Sequence, residues 1–213
     1  MRVPVVLLVL SSVLAFADTG TADEIFDTIG DGDVSSAFWV IGRTTVGIQR
    51  RYAARFSVED SFFIESVEAL VGGTSSSSAR LTFAIQQEEN GAPDGTVLES
   101  VTNFGLPFII GNETPEEFTF SGSTLLEGGQ DYFLVATAST GPSDPVGWRT
   151  NTVGFNGTLA VSDDAGPWQT FSTGNYPAFR INGSVVPEPN SFSLLAVMCI
   201  WHWQRRRDSG ARK

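Results

Sequence analysis

Between Arg51 and Val58 the side chains alternate in character. Tyr52, Ala54, Phe56 and Val58 fall on one side, and Arg51, Ala53, Arg55 and Ser57 on the other. A strand turns successive side chains to opposite faces, so this two-residue period marks a half-buried β-strand. Leu81, Phe83 and Ile85 repeat the pattern against Arg80, Thr82, Ala84 and Gln86. The run Tyr132 to Ala138 is apolar on both faces, as the central strand of a packed sheet would be. No part of the body sustains the three-four spacing of an amphipathic helix. Turn-forming clusters interrupt the runs: GGTSSSS at 72–78, ENGAPDGT at 89–96, EGGQ at 127–130, TGPSDP at 140–145 and DDAGP at 163–167. Strands are predicted at 37–41, 45–58 with a break near Gly47, 62–71, 79–87, 96–101, 106–110, 117–121, 131–138, 146–150, 157–162, 168–172 and 177–182. Many short strands between closely spaced turns predict an all-β fold, an antiparallel β-sandwich or jelly roll, forming one domain over residues 18–185.

Residue types missing from that domain exclude whole classes of chemistry. The only Cys and the only His are Cys199 and His202, and the only Lys is Lys213, all near the C-terminus. The body therefore has no disulfide, no Cys or His zinc site, no Ser–His–Asp triad and no Ser–Lys dyad. Residues 18–186 carry 22 Asp and Glu against seven Arg, a formal charge of −15. A surface of that sign repels nucleic acid and anionic lipid, so neither is expected as a partner.

The two ends read as addresses. Arg2 followed by the Val-, Leu- and Ala-rich run from Val3 to Phe16, with Ala15 and Ala17 at small-x-small spacing, predicts a secretory signal peptide over residues 1–17, cut after Ala17 by signal peptidase. A short membrane anchor is the competing reading, and it falls short of the ~20 apolar residues a spanning helix needs. At the other end, VPEP at 186–189 precedes an apolar run from Phe192 to Trp203 and then Arg205, Arg206 and Arg207. A helix over that run would be short of a hydrocarbon core of about 30 Å, with the arginines held on the cytoplasmic side. This predicts a transient membrane insertion rather than a permanent anchor; a buried C-terminal core helix is the alternative. Residues 208–213 follow as a cytoplasmic end. Pro187 and Pro189 keep the intervening segment out of helix and sheet and open to a protease.

The order of Pro187, Glu188 and Pro189, apolar run and arginine cluster over residues 186–207 resembles the PEP-CTERM sorting signal of exported bacterial proteins. That resemblance implies processing at or near the Pro-Glu-Pro element by an exosortase, a membrane-embedded cysteine transpeptidase. The apolar run differs from the family's Leu/Gly-rich pattern in carrying Cys199, His202 and two Trp. The body, from about Arg51 to Gly183, resembles the choice-of-anchor R domain through DSFFIESVEALVGG, NGAPDGTVLES, STLLEGGQDYFLVATAS and YPAFRING. Leu126, Gly129 and Tyr132 form the most telling part. No catalytic residues come with that resemblance.

Within the body, candidate chemistry is sparse. The DGD at 31–33 with Asp27 nearby, and DDAGP at 163–167, offer carboxylates to calcium without the spacing of an EF-hand; no cofactor is expected. The neighbours Glu88/Glu89, Glu116/Glu117 and Asp163/Asp164 lack the cross-cleft separation that glycoside hydrolysis needs and read as solvated surface. Trp148 in PVGWRTN and Trp168 in GPWQTF stand beside turns, where an indole either stacks on a sugar ring or packs in the core. The preferred function is a non-enzymatic exported surface or matrix protein; the alternative is a carbohydrate-binding module for extracellular polysaccharide using Trp148 and Trp168, and a carboxylate hydrolase is a distant third.

Overall fold

A computed structural model of the chain describes residues 22–30, 35–44, 47–73, 80–107, 114–138 and 145–186. The predicted signal peptide, Asp31 and Asp33, and the tail from Pro187 onward lie outside the described residues. Within them the protein is all-β, in two sheets. In the smaller sheet β1 (Asp23–Asp27), β14 (Phe179–Val185), β4 (Phe62–Ala69) and β8 (Glu116–Thr119) lie side by side, and β9 (Leu125–Leu126) pairs with β4. The larger sheet runs β5 (Val71–Gly73), β11 (Val146–Arg149), β2 (Phe38–Arg43), β3 (Gln49–Ser57), β10 (Asp131–Ala138), β6 (Arg80–Glu89), β7 (Ala92–Phe104). There β12 (Gly157–Asp163) pairs with β3, and β13 (Gln169–Thr173) pairs with β12. Every pairing is antiparallel.

The alternating residues do what their period requires. Tyr52, Ala54 and Phe56 of β3, Leu81, Phe83 and Ile85 of β6, and Leu134 of β10 face Ile64, Val67, Phe118, Phe179 and Ile181 of the smaller sheet in one core cluster. This shared core is consistent with a β-sandwich. β10 is buried on both faces because its other side, with Phe133 and Val135, joins a second cluster with Ala53, Ala84 and Ala160. Its position between β3 and β6 matches the central strand expected from its apolar run.

The Leu126, Gly129, Tyr132 pattern has a mechanical meaning. Leu126 is buried opposite Phe62, and Gly129 takes φ +75° while donating its N–H to the Val58 carbonyl at 2.8 Å. The Tyr132 hydroxyl accepts the Glu127 N–H at 2.8 Å, closing the turn back onto itself. An aromatic hydroxyl bonded to the backbone just upstream pins a strand's entry angle in β-sandwiches.

Several predicted boundaries move. The stretch 62–71 is two strands, because the chain changes sheets at Leu70: its N–H donates to the Ala178 carbonyl at 3.2 Å and its own carbonyl accepts from Arg149 at 2.8 Å. β3 begins only at Gln49: the Thr44 N–H donates to the Ile48 carbonyl and the Gly47 N–H to the Thr44 carbonyl, both at 2.8 Å, with Gly47 at φ +87°, and residues 45 and 46 lie outside the described residues. In ENGAPDGT only Asn90-Gly91 turns, both at positive φ, as a tight hairpin requires. The strand resumes at Ala92, with Pro93 opposite Glu88 next to a register shift; β7 is an edge strand, where a missing N–H is tolerated. Leu106 and Pro107 are not strand, and 108–110 lie outside the described residues. β1 and β9 are elements the periodicity does not announce.

Trp148 corrects a functional expectation. Its side chain is fully buried between Phe83 at 5.0 Å and Phe179 at 5.7 Å, and its indole N–H donates to the Ala178 carbonyl at 3.2 Å. β11 lies inside the larger sheet, between β5 and β2, so its indole fills the space between layers rather than meeting a sugar. Replacing it with Ala leaves a large cavity and removes one of the two donors to the Ala178 carbonyl. Trp148→Ala is expected to lower unfolding free energy by about 3–5 kcal/mol, measured by urea denaturation, well beyond the effect of Trp168→Ala.

Candidate functional site

β3 is longer than the partner beside it. β12 pairs with β3 only as far as Leu159 opposite Ala54, whereas β3 continues to Ser57. Beyond that point the larger sheet opens into a cleft of about 530 Å³, bounded across the gap by Phe26 of β1 and by Phe155, just before β12. Gly157 helps to make the gap. A Cβ there would run into the Tyr176 ring, so a side chain at this position would push β12 away from its support.

One wall of the cleft is aromatic. Phe26 stacks on the buried Phe179 at 5.2 Å and meets Phe155 edge-on at 5.6 Å. Phe155 in turn lies 5.0 Å from Tyr176. The loop carrying Phe155 is tied down by Asn151, a buried amide. Asn151 Oδ1 accepts the Phe155 N–H at 3.1 Å, and its Nδ2 donates to the Phe155 carbonyl at 3.1 Å and the Tyr176 carbonyl at 2.8 Å. Such a satisfied buried amide holds the ring in one place.

The opposite rim is polar. Arg55 Nη2 donates to Asp131 Oδ2 at 2.5 Å, and Ser57 Oγ donates to Asp131 Oδ1. The same Arg55 nitrogen lies 3.9 Å from Glu88 Oε2. Arg55 Nε is buried with no hydrogen-bond partner. The backbone beneath is anchored by the Tyr176 hydroxyl, which donates to the Arg55 carbonyl. Burial, only partly opposed by the nearby Arg55 charge, pushes the Tyr176 phenol well above its ordinary range, so it stays a neutral donor. The rim thus holds two carboxylate oxygens with unused lone pairs, a hydroxyl and guanidinium donors side by side. These donors and acceptors are of the kind that hydrogen-bond a polar ligand.

Two narrower clefts adjoin it. One, of about 410 Å³, shares Phe26 and Ser57 and is bordered by Asp23, Glu24, Glu59 and Asp60. The other, of about 280 Å³, shares Asp131 and is bordered by Glu88 and Glu127.

The residues singled out from sequence lie elsewhere. Trp168 is half-buried against the Phe133 cluster, and the Arg51 guanidinium sits over its ring at 4.9 Å, occupying a face that a sugar would need. Asp27 is taken up locally: its oxygens accept the Ile29 N–H at 2.7 Å and the Gly30 N–H at 3.2 Å, and Oδ2 lies 3.1 Å from Arg180. Asp163 and Asp164 are tied to the start of β3, through Arg50 at 2.7 Å and the Gln49 N–H at 2.9 Å. Among the described residues, no three Asp, Glu, His or Cys side chains converge as a metal-ligand group. Sequence reasoning missed the cleft residues Phe26, Phe155, Arg55 and Asp131. The available signal was Asn151-x-x-x-Phe155 in a Gly-containing loop, which is weak without the fold. No family model matches this chain, and no curated protein matches it.

The Arg50–Asp163 pair yields a signed pH dependence. The hydrogen bond from Arg50 holds the Asp163 carboxyl below its ordinary value of 3.8. A depressed carboxylate stabilises the fold above its unfolded pKa, and that contribution disappears as pH falls through the folded value. Because the pair is largely solvent-exposed, the contribution is small. Asp163→Asn is therefore expected to unfold at slightly lower urea than the native chain at pH 7, with the difference vanishing once the pH has fallen through the depressed folded value of Asp163. A difference that persisted undiminished in acid would contradict the ion-pair origin.

Proposed function

We propose that this chain is an exported, non-enzymatic surface or matrix protein whose body, a β-sandwich or jelly roll resembling the choice-of-anchor R domain, is delivered by a signal peptide and released from its tail by an exosortase. The observation that carries the reading is where the fold closes. Among the described residues the last strand ends at Val185, and the Val186 N–H donates to the Ser61 carbonyl at 2.8 Å, one residue before Pro187. A cut at Pro187, Glu188 or Pro189 would therefore take no strand and no core side chain from the described body. At the other end β1 begins at Asp23, leaving a short spacer after Ala17. Both address segments thus flank a unit that has its own core. A protease needs an extended, accessible substrate, and prolines on either side of Glu188 favour that conformation.

On this reading Arg205, Arg206 and Arg207 hold the short apolar run in the cytoplasmic membrane until processing, and the product goes to the cell envelope or extracellular matrix. Intact-mass analysis of the protein recovered from its native host tests it. The expected product starts at Asp18 and ends at or near Pro-Glu-Pro, and replacing Pro187, Glu188 and Pro189 together by Ala leaves the longer form in the membrane fraction. An arginine tail retained on all of the mature protein would overturn the reading.

A further inference from the structure

The Phe26–Phe155 wall and the Arg55–Ser57–Asp131 rim bound one cleft that the sorting reading does not use. An aromatic surface beside a cluster of donors and acceptors suits a ligand with one apolar face and an edge of hydroxyls. A pyranose ring has both: its axial C–H groups pack on a phenyl face, and its vicinal hydroxyls each donate and accept. One hydroxyl would donate to the free lone pairs of Asp131 while its neighbour accepts from the Arg55 guanidinium, whose side chain is 34% exposed. The Thr158 and Ser57 side chains border the same space and add hydroxyls at its edge.

Charge narrows the class. Among the described residues the cation at the rim is Arg55, already paired with Asp131 and close to Glu88. The adjoining clefts bring Asp23, Glu24, Glu59 and Asp60 on one side and Glu88 and Glu127 on the other. A uronate or sulfated chain crossing all three would meet like charge throughout, at a cost that no single arginine offsets. Shared lining residues, Phe26 and Ser57 toward one neighbour and Asp131 toward the other, place the three clefts next to one another. The central cavity lies within the roughly 300–1,000 Å³ that ligand sites occupy.

We infer that this cleft binds a neutral pyranose residue within an uncharged polysaccharide, with Phe26 and Phe155 as the stacking wall and Arg55, Ser57 and Asp131 as the hydroxyl-binding rim. Phe155, preset by Asn151, loses little freedom when the ligand arrives.

Calorimetric titration of the full exported chain with neutral hexasaccharides of glucose, mannose, xylose and galactose tests the inference, with hexagalacturonate as the anionic counterpart. At least one neutral sugar is expected to bind. Phe155→Ala and Asp131→Asn should each weaken it by about tenfold or more, the range expected of central contacts. Asp131→Asn changes a rim residue rather than the core, so its unfolding midpoint keeps the result interpretable if Phe155→Ala fails to fold. Trp168→Ala should bind like the native chain. The inference fails if no neutral hexasaccharide binds, if Asp131→Asn binds as tightly as the native chain, if hexagalacturonate binds best, or if the sugar is cleaved. Each of those outcomes leaves the tail-processing result untouched.

Discussion

Phe179 is where the two sheets become one body. It sits on β14 of the smaller sheet, fully buried, and its ring lies 5.2 Å from Phe26, 5.7 Å from Trp148, 5.9 Å from Tyr176 and 6.4 Å from Phe56. Phe56 and Trp148 belong to the larger sheet, so one side chain reaches both layers. The contacts extend through Trp148 to Phe83 at 5.0 Å and from there to Phe118 at 4.6 Å. Aromatic pairs at these spacings add stabilisation beyond the area they bury. The backbone of Phe179 is held as firmly, by exchange of hydrogen bonds with the buried Thr28 hydroxyl at 3.0 Å. With no disulfide available in the body, this aromatic network does the joining that a cross-link does in smaller exported domains.

The cleft inherits its shape from the same network. Phe26 stands in the wall because Phe179 supports its other side, and Phe155 stands beside it because Tyr176 and Asn151 hold its loop. The Tyr176 hydroxyl then reaches across to the Arg55 carbonyl, so the residue that braces the aromatic wall also positions the polar rim. A site built on strands and a clamped loop needs little rearrangement to receive a ligand.

Local pattern predicted the elements it controls. Alternation at 51–58 and 80–87 placed two strands on the right faces, and the apolar run at 132–138 identified the central strand, because burial on each face is written into neighbouring side chains. What pattern could not supply was the partner. Asp23–Asp27 is short and acidic, and it becomes a strand only because β14 lies alongside it, with Phe26 opposite Ile181. Leu70 reads as one more strand residue, yet its neighbours on either side belong to different sheets. Trp148 and Trp168 look alike in sequence, each beside a turn; the layer that covers β11 buried the first, and Arg51 half-covered the second. The cleft was illegible for the same reason: Phe26, Arg55, Asp131 and Phe155 share no motif and meet only through the topology.

Among the described residues β14 is the last strand and lies between β1 and β4, so the described sheets need the chain as far as Val186. Urea unfolding of the chain from Asp18 to its last residue, and of versions ending at Val186 and at Pro177, measures this directly. The account predicts the same cooperative midpoint for the chain ending at Val186 as for the longer one, and no cooperative fold for the chain ending at Pro177. A marked loss of stability on ending at Val186, or a stable fold without β14, would contradict it.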